Sequence, residues 1–178
     1  MLLAVMLLAS ASMPAATISF TGQFDPSLAT VVTGSGSGWF DASGAPSSIT
    51  LWGSDSGSND EILTQVLWTV VTGDSNVAFF WNYRTLDAGG PSFDPAGWVL
   101  NGVQTQLSDD SGATSQGGFV SGISLSPGDQ FGFYVDSLDD IAGAARITIS
   151  GEIPEPATVL LCGFGLAALG LFGRRRRG

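Results

Sequence analysis

Two acidic runs carry the side chains with the clearest capacity for chemistry. In DSGSNDE, residues 55–61, Asp55, Asn59, Asp60 and Glu61 offer oxygen ligands, and in DSLDD, residues 136–140, Asp136, Asp139 and Asp140 do the same. Calcium takes about six to eight such oxygens from flexible loops, so it is the one cofactor these runs could hold. Neither run has the D-x-[DN]-x-[DN]-G spacing of an EF-hand, and solvated acidic loops are the preferred reading of both. A second chemistry is stacking on a sugar ring. Trp39, Trp52 and Trp98 adjoin Gly-rich turns where an indole face can stay open, whereas Trp68 and Trp81 lie within long apolar runs and are expected in a core. Packing is the preferred reading even for the first three.

Catalysis by the common nucleophiles is excluded. The chain has no His, and its one cysteine, Cys162, lies in a C-terminal apolar run, so neither a Ser-His-Asp nor a Cys-His arrangement can be built. The same gap removes the usual zinc ligands, and the lack of Lys removes a phosphate-binding G-x-x-x-x-G-K-[ST] loop. A pair of carboxylates could serve a glycosidase, but an acidic β protein supplies such pairs by chance. The expectation is a protein that is not an enzyme.

Charge is distributed unevenly. Arg174, Arg175, Arg176 and Arg177 hold four of the six positive charges, which leaves Arg84 and Arg146 against sixteen Asp and Glu, a net charge of −14 away from the tail. Nucleic-acid binding draws its affinity from Lys and Arg displacing counterions, so no nucleic-acid partner is expected.

The elements that would position these residues are β-strands. Short runs rich in β-formers are separated by Gly, Ser, Asn and Asp: TISFTGQF from Thr17, SSITLWG from Ser47, ILTQVLWTVVT from Ile62, VAFFWNYRTL from Val77, GWVLNGVQTQL from Gly97, GGFVSGISL from Gly117, DQFGFYVDS from Asp129 and GAARITISGEI from Gly143. Phe131, Phe133 and Val135 alternate with Gly132, Tyr134 and Asp136, and Ile147 and Ile149 with Thr148 and Ser150. About eight strands at this spacing, with no helical stripe, predict an all-β antiparallel sandwich or jelly roll over residues 17–153. The Gly-Ser segment at Gly34 reads as a turn between two strands.

The two ends have their own signatures. An apolar run at residues 2–8 precedes small residues at Ala9, Ser10 and Ala11, which reads as a signal peptide ending near Ala16, although no Lys or Arg opens it. At the other end, residues 157–173 carry no charge and as a helix would span about 25 Å, the short limit for a transmembrane helix. The arginines behind it would hold the C-terminus on the cytoplasmic side.

Pro154, Glu155 and Pro156, the apolar segment and Arg174, Arg175, Arg176 and Arg177 together resemble the PEP-CTERM protein-sorting signal of Gram-negative bacteria. That resemblance implies recognition by an exosortase, an integral-membrane cysteine transpeptidase, with cleavage near the Pro-Glu-Pro motif. It further implies passage to the cell surface or the extracellular polysaccharide matrix. The stretches FFWNYRTLDAGGPSFDPAGWVLNG and GDQFGFYVDSLDDIAGAARITIS also resemble a β-rich ectodomain that recurs beside such tails. The resulting division is a signal peptide at 1–16, a β-sandwich ectodomain at 17–153 and a sorting signal at 154–178. The leading reading is an exported, non-enzymatic surface or matrix protein, held transiently in the membrane before processing. The rival is a carbohydrate-binding module for exopolysaccharide, assisted by calcium.

Overall fold

The computed structural model describes residues 16–151. The expected signal peptide at 1–16 lies outside them save for Ala16, and the expected transmembrane helix and sorting signal lie wholly outside. Eleven strands form in chain order: β1 (Ala16–Thr17), β2 (Thr30–Val32), β3 (Trp39–Asp41), β4 (Ser48–Trp52), β5 (Ile62–Thr69), β6 (Asp74–Thr85), β7 (Ala96–Leu100), β8 (Val103–Gln106), β9 (Ser115–Leu125), β10 (Gln130–Ser137) and β11 (Ala145–Ser150). No α-helix occurs among the described residues, so none is long and apolar enough to cross a membrane.

The strands make two sheets. One, of six strands, runs β1-β6-β11-β4-β3 with β9 on the other side of β6, and the second, of five, runs β2-β5-β10-β7-β8. Every pairing is antiparallel except β1 with β6. The all-β antiparallel expectation therefore holds.

Period-2 alternation explains how the sheets meet. Ile49 and Leu51 of β4, Phe79, Trp81 and Tyr83 of β6 and Ile147 and Ile149 of β11 turn inward from the first sheet. Val66 and Trp68 of β5 and Phe131, Phe133 and Val135 of β10 meet them from the second, forming one continuous core. Trp68, 1% exposed, is its centre, touching Phe20, Phe24, Phe40 and Phe133 edge-on or tilted, while its indole N–H donates to the Asp25 carbonyl at 2.9 Å. Trp68 and Trp81 are thus core residues, as their runs indicated.

Three segments differ from the expected strands. The run from Thr17 does not continue as a strand, because Gly22 takes a φ of 58° and Pro26 opens a 3-10 turn. Phe20 and Phe24 still enter the core from this irregular stretch. The run from Gly97 is a hairpin, since Asn101 and Gly102 adopt φ of 52° and 80°, the left-handed pair that a tight two-residue turn requires. The segment around Gly34 does connect two strands, β2 and β3, but they belong to different sheets, so it is a crossing between layers.

Candidate functional site

One pole of the sandwich gathers the acidic runs. β4, β6 and β10 end there and β11 begins there, as the pairings Trp52 with Arg146 and Thr85 with Ala145 and the 3.0 Å bond from Ser54 N–H to Ser137 Oγ require. The loops that leave these strand ends bring DSGSNDE and DSLDD together. The carboxylate of Asp140, 1% exposed, accepts hydrogen bonds from the N–H and hydroxyl of both Ser56 and Ser58, at 3.0 Å from Ser56 N, 3.3 Å from Ser58 N and 2.7 Å from Ser58 Oγ. Burial alone would raise its pKa, but the hydrogen bonds from Ser54, Ser56 and Ser58 outweigh that and hold it below the usual carboxylate range.

Beside this latch runs a buried polar network. Thr85 Oγ1 donates to Asp94 Oδ2 at 2.8 Å and accepts from Asp87 N–H at 3.0 Å, and the Tyr83 hydroxyl donates to the Asp94 carbonyl at 3.0 Å. Burial raises the Asp94 carboxyl to about 6 despite hydrogen bonds from Thr85 and Ser137. Asp136, 9% exposed, is likewise raised to about 6, first by burial and then by the nearby charge of Glu61. Asp87 Oδ2 and Asp136 Oδ1 are buried without a hydrogen-bond partner.

The structure therefore brings Asp140 onto the 55–61 loop but does not close a metal cage. Among the described residues no three Asp, Glu, Cys or His groups are placed to hold a metal ion. Asp55, Asn59 and Asp60 are exposed, with Asn59 at a φ of 65°, and Asp139 Oδ1 accepts only a long 3.4 Å bond from Ile141 N–H.

The three turn-adjacent tryptophans part company. Trp98 packs inward, half-buried against the core and tilted against Phe131 at 6.2 Å. Trp39 and Trp52 lie on the outer face of the six-stranded sheet, their rings stacked at 5.6 Å and 7°. Trp39 is 49% exposed at the edge, while Trp52 is half-buried between Trp39 and the Arg146 guanidinium, whose carbon sits 4.8 Å from the Trp52 ring centre. Sequence reasoning passed over Arg84 and Arg146. The signal for them was present: they are the body's two basic residues, and each stands at the outward position of an alternating strand.

Residues 152–177 match the family model described as the PEP-CTERM protein-sorting motif. No curated protein and no solved structure matches the chain. The matched segment contains Pro154, Glu155, Pro156 and the four arginines that motivated the resemblance, so the chain carries a PEP-CTERM sorting motif, the address of a protein sorted to the cell surface by an exosortase.

Proposed function

We propose that the protein is a non-enzymatic component of the cell surface or extracellular matrix of a Gram-negative bacterium. An exosortase cuts it near Pro154, Glu155 and Pro156 after its C-terminal helix has held it transiently in the inner membrane. The sorting motif at residues 152–177 carries this reading. The lack of His and the commitment of the Asp140 carboxylate to serine donors support a structural role for the acidic pole. Fractionation of cells expressing a body-tagged chain, with the mass of the mature C-terminus, tests it. Surface material should lack Arg174, Arg175, Arg176, Arg177 and Gly178, and an intact tail recovered from the outer surface would refute it.

Carbohydrate binding is a second reading, favoured by the open indole face of Trp39. Trp39→Ala should reduce retention on exopolysaccharide without unfolding the protein, and unchanged retention would count against it.

A further inference from the structure

The outer face of the six-stranded sheet carries one transverse row: Trp39 on β3, Trp52 on β4, Arg146 on β11, Arg84 on β6 and Ser115 on β9, each paired with the next. The next row is Asp41, Thr50, Thr148, Asn82 and Gly117. Directly opposed residues of an antiparallel pair hold their Cβ atoms about 5 Å apart, and like charges placed so are destabilising. The body's two arginines occupy that arrangement although fourteen acidic residues lie within the described segment. Neither guanidinium makes a hydrogen bond or ion pair among the described residues, and that of Arg146 lies over the Trp52 ring.

A cleft of about 140 Å³ opens here, lined by Trp52, Arg84, Leu86 and Arg146. The polar side-chain groups of these residues are all donors: two guanidinium groups and the Trp52 indole N–H, which is buried with no partner among the described residues. Beside it lies an open trough of about 400 Å³ that includes Asn82, Gln116, Thr148 and both arginines, within the size range of small-ligand sites. The Gln116 amide is committed to Asp109 and Ala113, and Thr148 to Thr50, but the Asn82 amide is exposed and without a partner among the described residues. Gly117 keeps the trough floor low, since a Cβ there would come within 3.0 Å of Asn82 Oδ1 and of the Trp81 carbonyl.

A cleft whose polar side chains are all donors favours an acceptor group, and a guanidinium pair suits a carboxylate held by forked hydrogen bonds. We propose that this face binds an acidic glycan, a sugar carboxylate entering the cleft between Arg84 and Arg146 while adjoining rings lie along the trough beside Asn82 and against Leu86 and Trp39. The inference rests on the carbohydrate-binding reading and names its ligand class. An acidic peptide fits less well, because the cleft sits over β4, β11 and β6, interior strands that leave no edge there for a backbone to join. Asp41 is the one acidic residue on the two rows, and charges more than roughly 8 Å away are screened at physiological salt.

The test is retention of the full chain, purified in mild detergent, on immobilised polygalacturonate, on its neutral methyl ester and on polyglutamate. Retention should be strong on the first and at least tenfold weaker on the other two. Arg84→Gln and Arg146→Gln should each weaken polygalacturonate binding about tenfold with unchanged far-UV dichroism, and Arg84→Lys, which keeps the charge but loses the fork, should recover only part. Equal binding of acid and ester would overturn the inference while leaving carbohydrate binding intact. Equal binding of polyglutamate, or full binding by both Gln variants, would also overturn it, and no retention on any glycan would remove both readings together.

Discussion

Replacing Asp140 should open the acidic pole. Its carboxylate satisfies two backbone N–H groups, those of Ser56 and Ser58, and two serine hydroxyls. The hydroxyls can turn toward water when the acceptor is lost, so the two backbone bonds dominate. A net hydrogen bond to a charged acceptor is worth about 1.5 kcal/mol at the low end, giving about 3 kcal/mol for the pair. Asp140 also has a φ of 50°, which Asp and Asn tolerate better than Ala, adding roughly 1 kcal/mol to an alanine variant. Asp140→Ala should therefore cost about 4 kcal/mol in urea unfolding, or a drop in melting temperature on the order of 10 °C for a domain of this size. Asp140→Asn keeps the backbone preference and one acceptor oxygen and should cost about 1.5 kcal/mol. Both losses should be the same in EDTA and in millimolar calcium, because serine donors already occupy the carboxylate. An alanine cost below about 1 kcal/mol, or a calcium-dependent stabilisation that Asp140→Asn abolishes, would refute the latch.

Trp68→Ala should cost about 3 to 5 kcal/mol, since it removes the hub of the core and the donor to Asp25, while Trp39→Ala should cost under 1 kcal/mol; equal losses in denaturant titration would contradict the placement of the two rings. Acid should stabilise the fold between neutrality and about pH 5. Asp94 and Asp136 have folded pKa values raised to about 6, so the native state binds more protons than the unfolded chain in that window and stability falls as pH rises through 6. Thermal melts across pH 4 to 8 should show this slope, and Asp94→Asn should flatten part of it. Asp25, Asp41, Asp129 and Asp140, all lowered, act in the opposite sense: the stability they add begins to be lost below about pH 5, so the Asp94 and Asp136 slope is read between about pH 5 and 7.

Much of the architecture was legible because alternation is a local property. Phe131, Phe133 and Val135 can face inward together only if β10 is a strand with its other side turned away, and the same holds for Ile147 and Ile149. Short strands escaped because β2 and β3 have three residues each, too few to display a period. The missed hairpin had its marker in Asn101-Gly102, hidden inside a run that otherwise alternates well. The 55–61 run is an exposed loop, as read, but Asp136 lies in β10 and both Asp136 and Asp140 are buried, so the second run is not the solvated loop expected. The meeting of the two runs depends on which strand ends share a pole, decided by pairings between β4, β6 and β11 far apart in sequence. The arginine pair was invisible for the same reason. Arg84 and Arg146 are neighbours only through the register of β6 with β11, which no spacing along the chain encodes.

β1 and the end of β11 lie along the same flank of β6, with Thr17 opposite Ala78 and Ser150 opposite Phe80. The body thus begins and ends at one pole, and the loops bearing Asp94 and Asp140 occupy the other. A pull applied at Gly151 along the axis of β11 would act across its antiparallel hydrogen bonds to β4 and β6, which run perpendicular to the strand. Such a pull would load both ladders in shear, with all their bonds sharing the force, instead of peeling them one at a time. A domain held by that end would resist the pull through its ladders alone, since residues 16–151 contain no cysteine to form a disulfide.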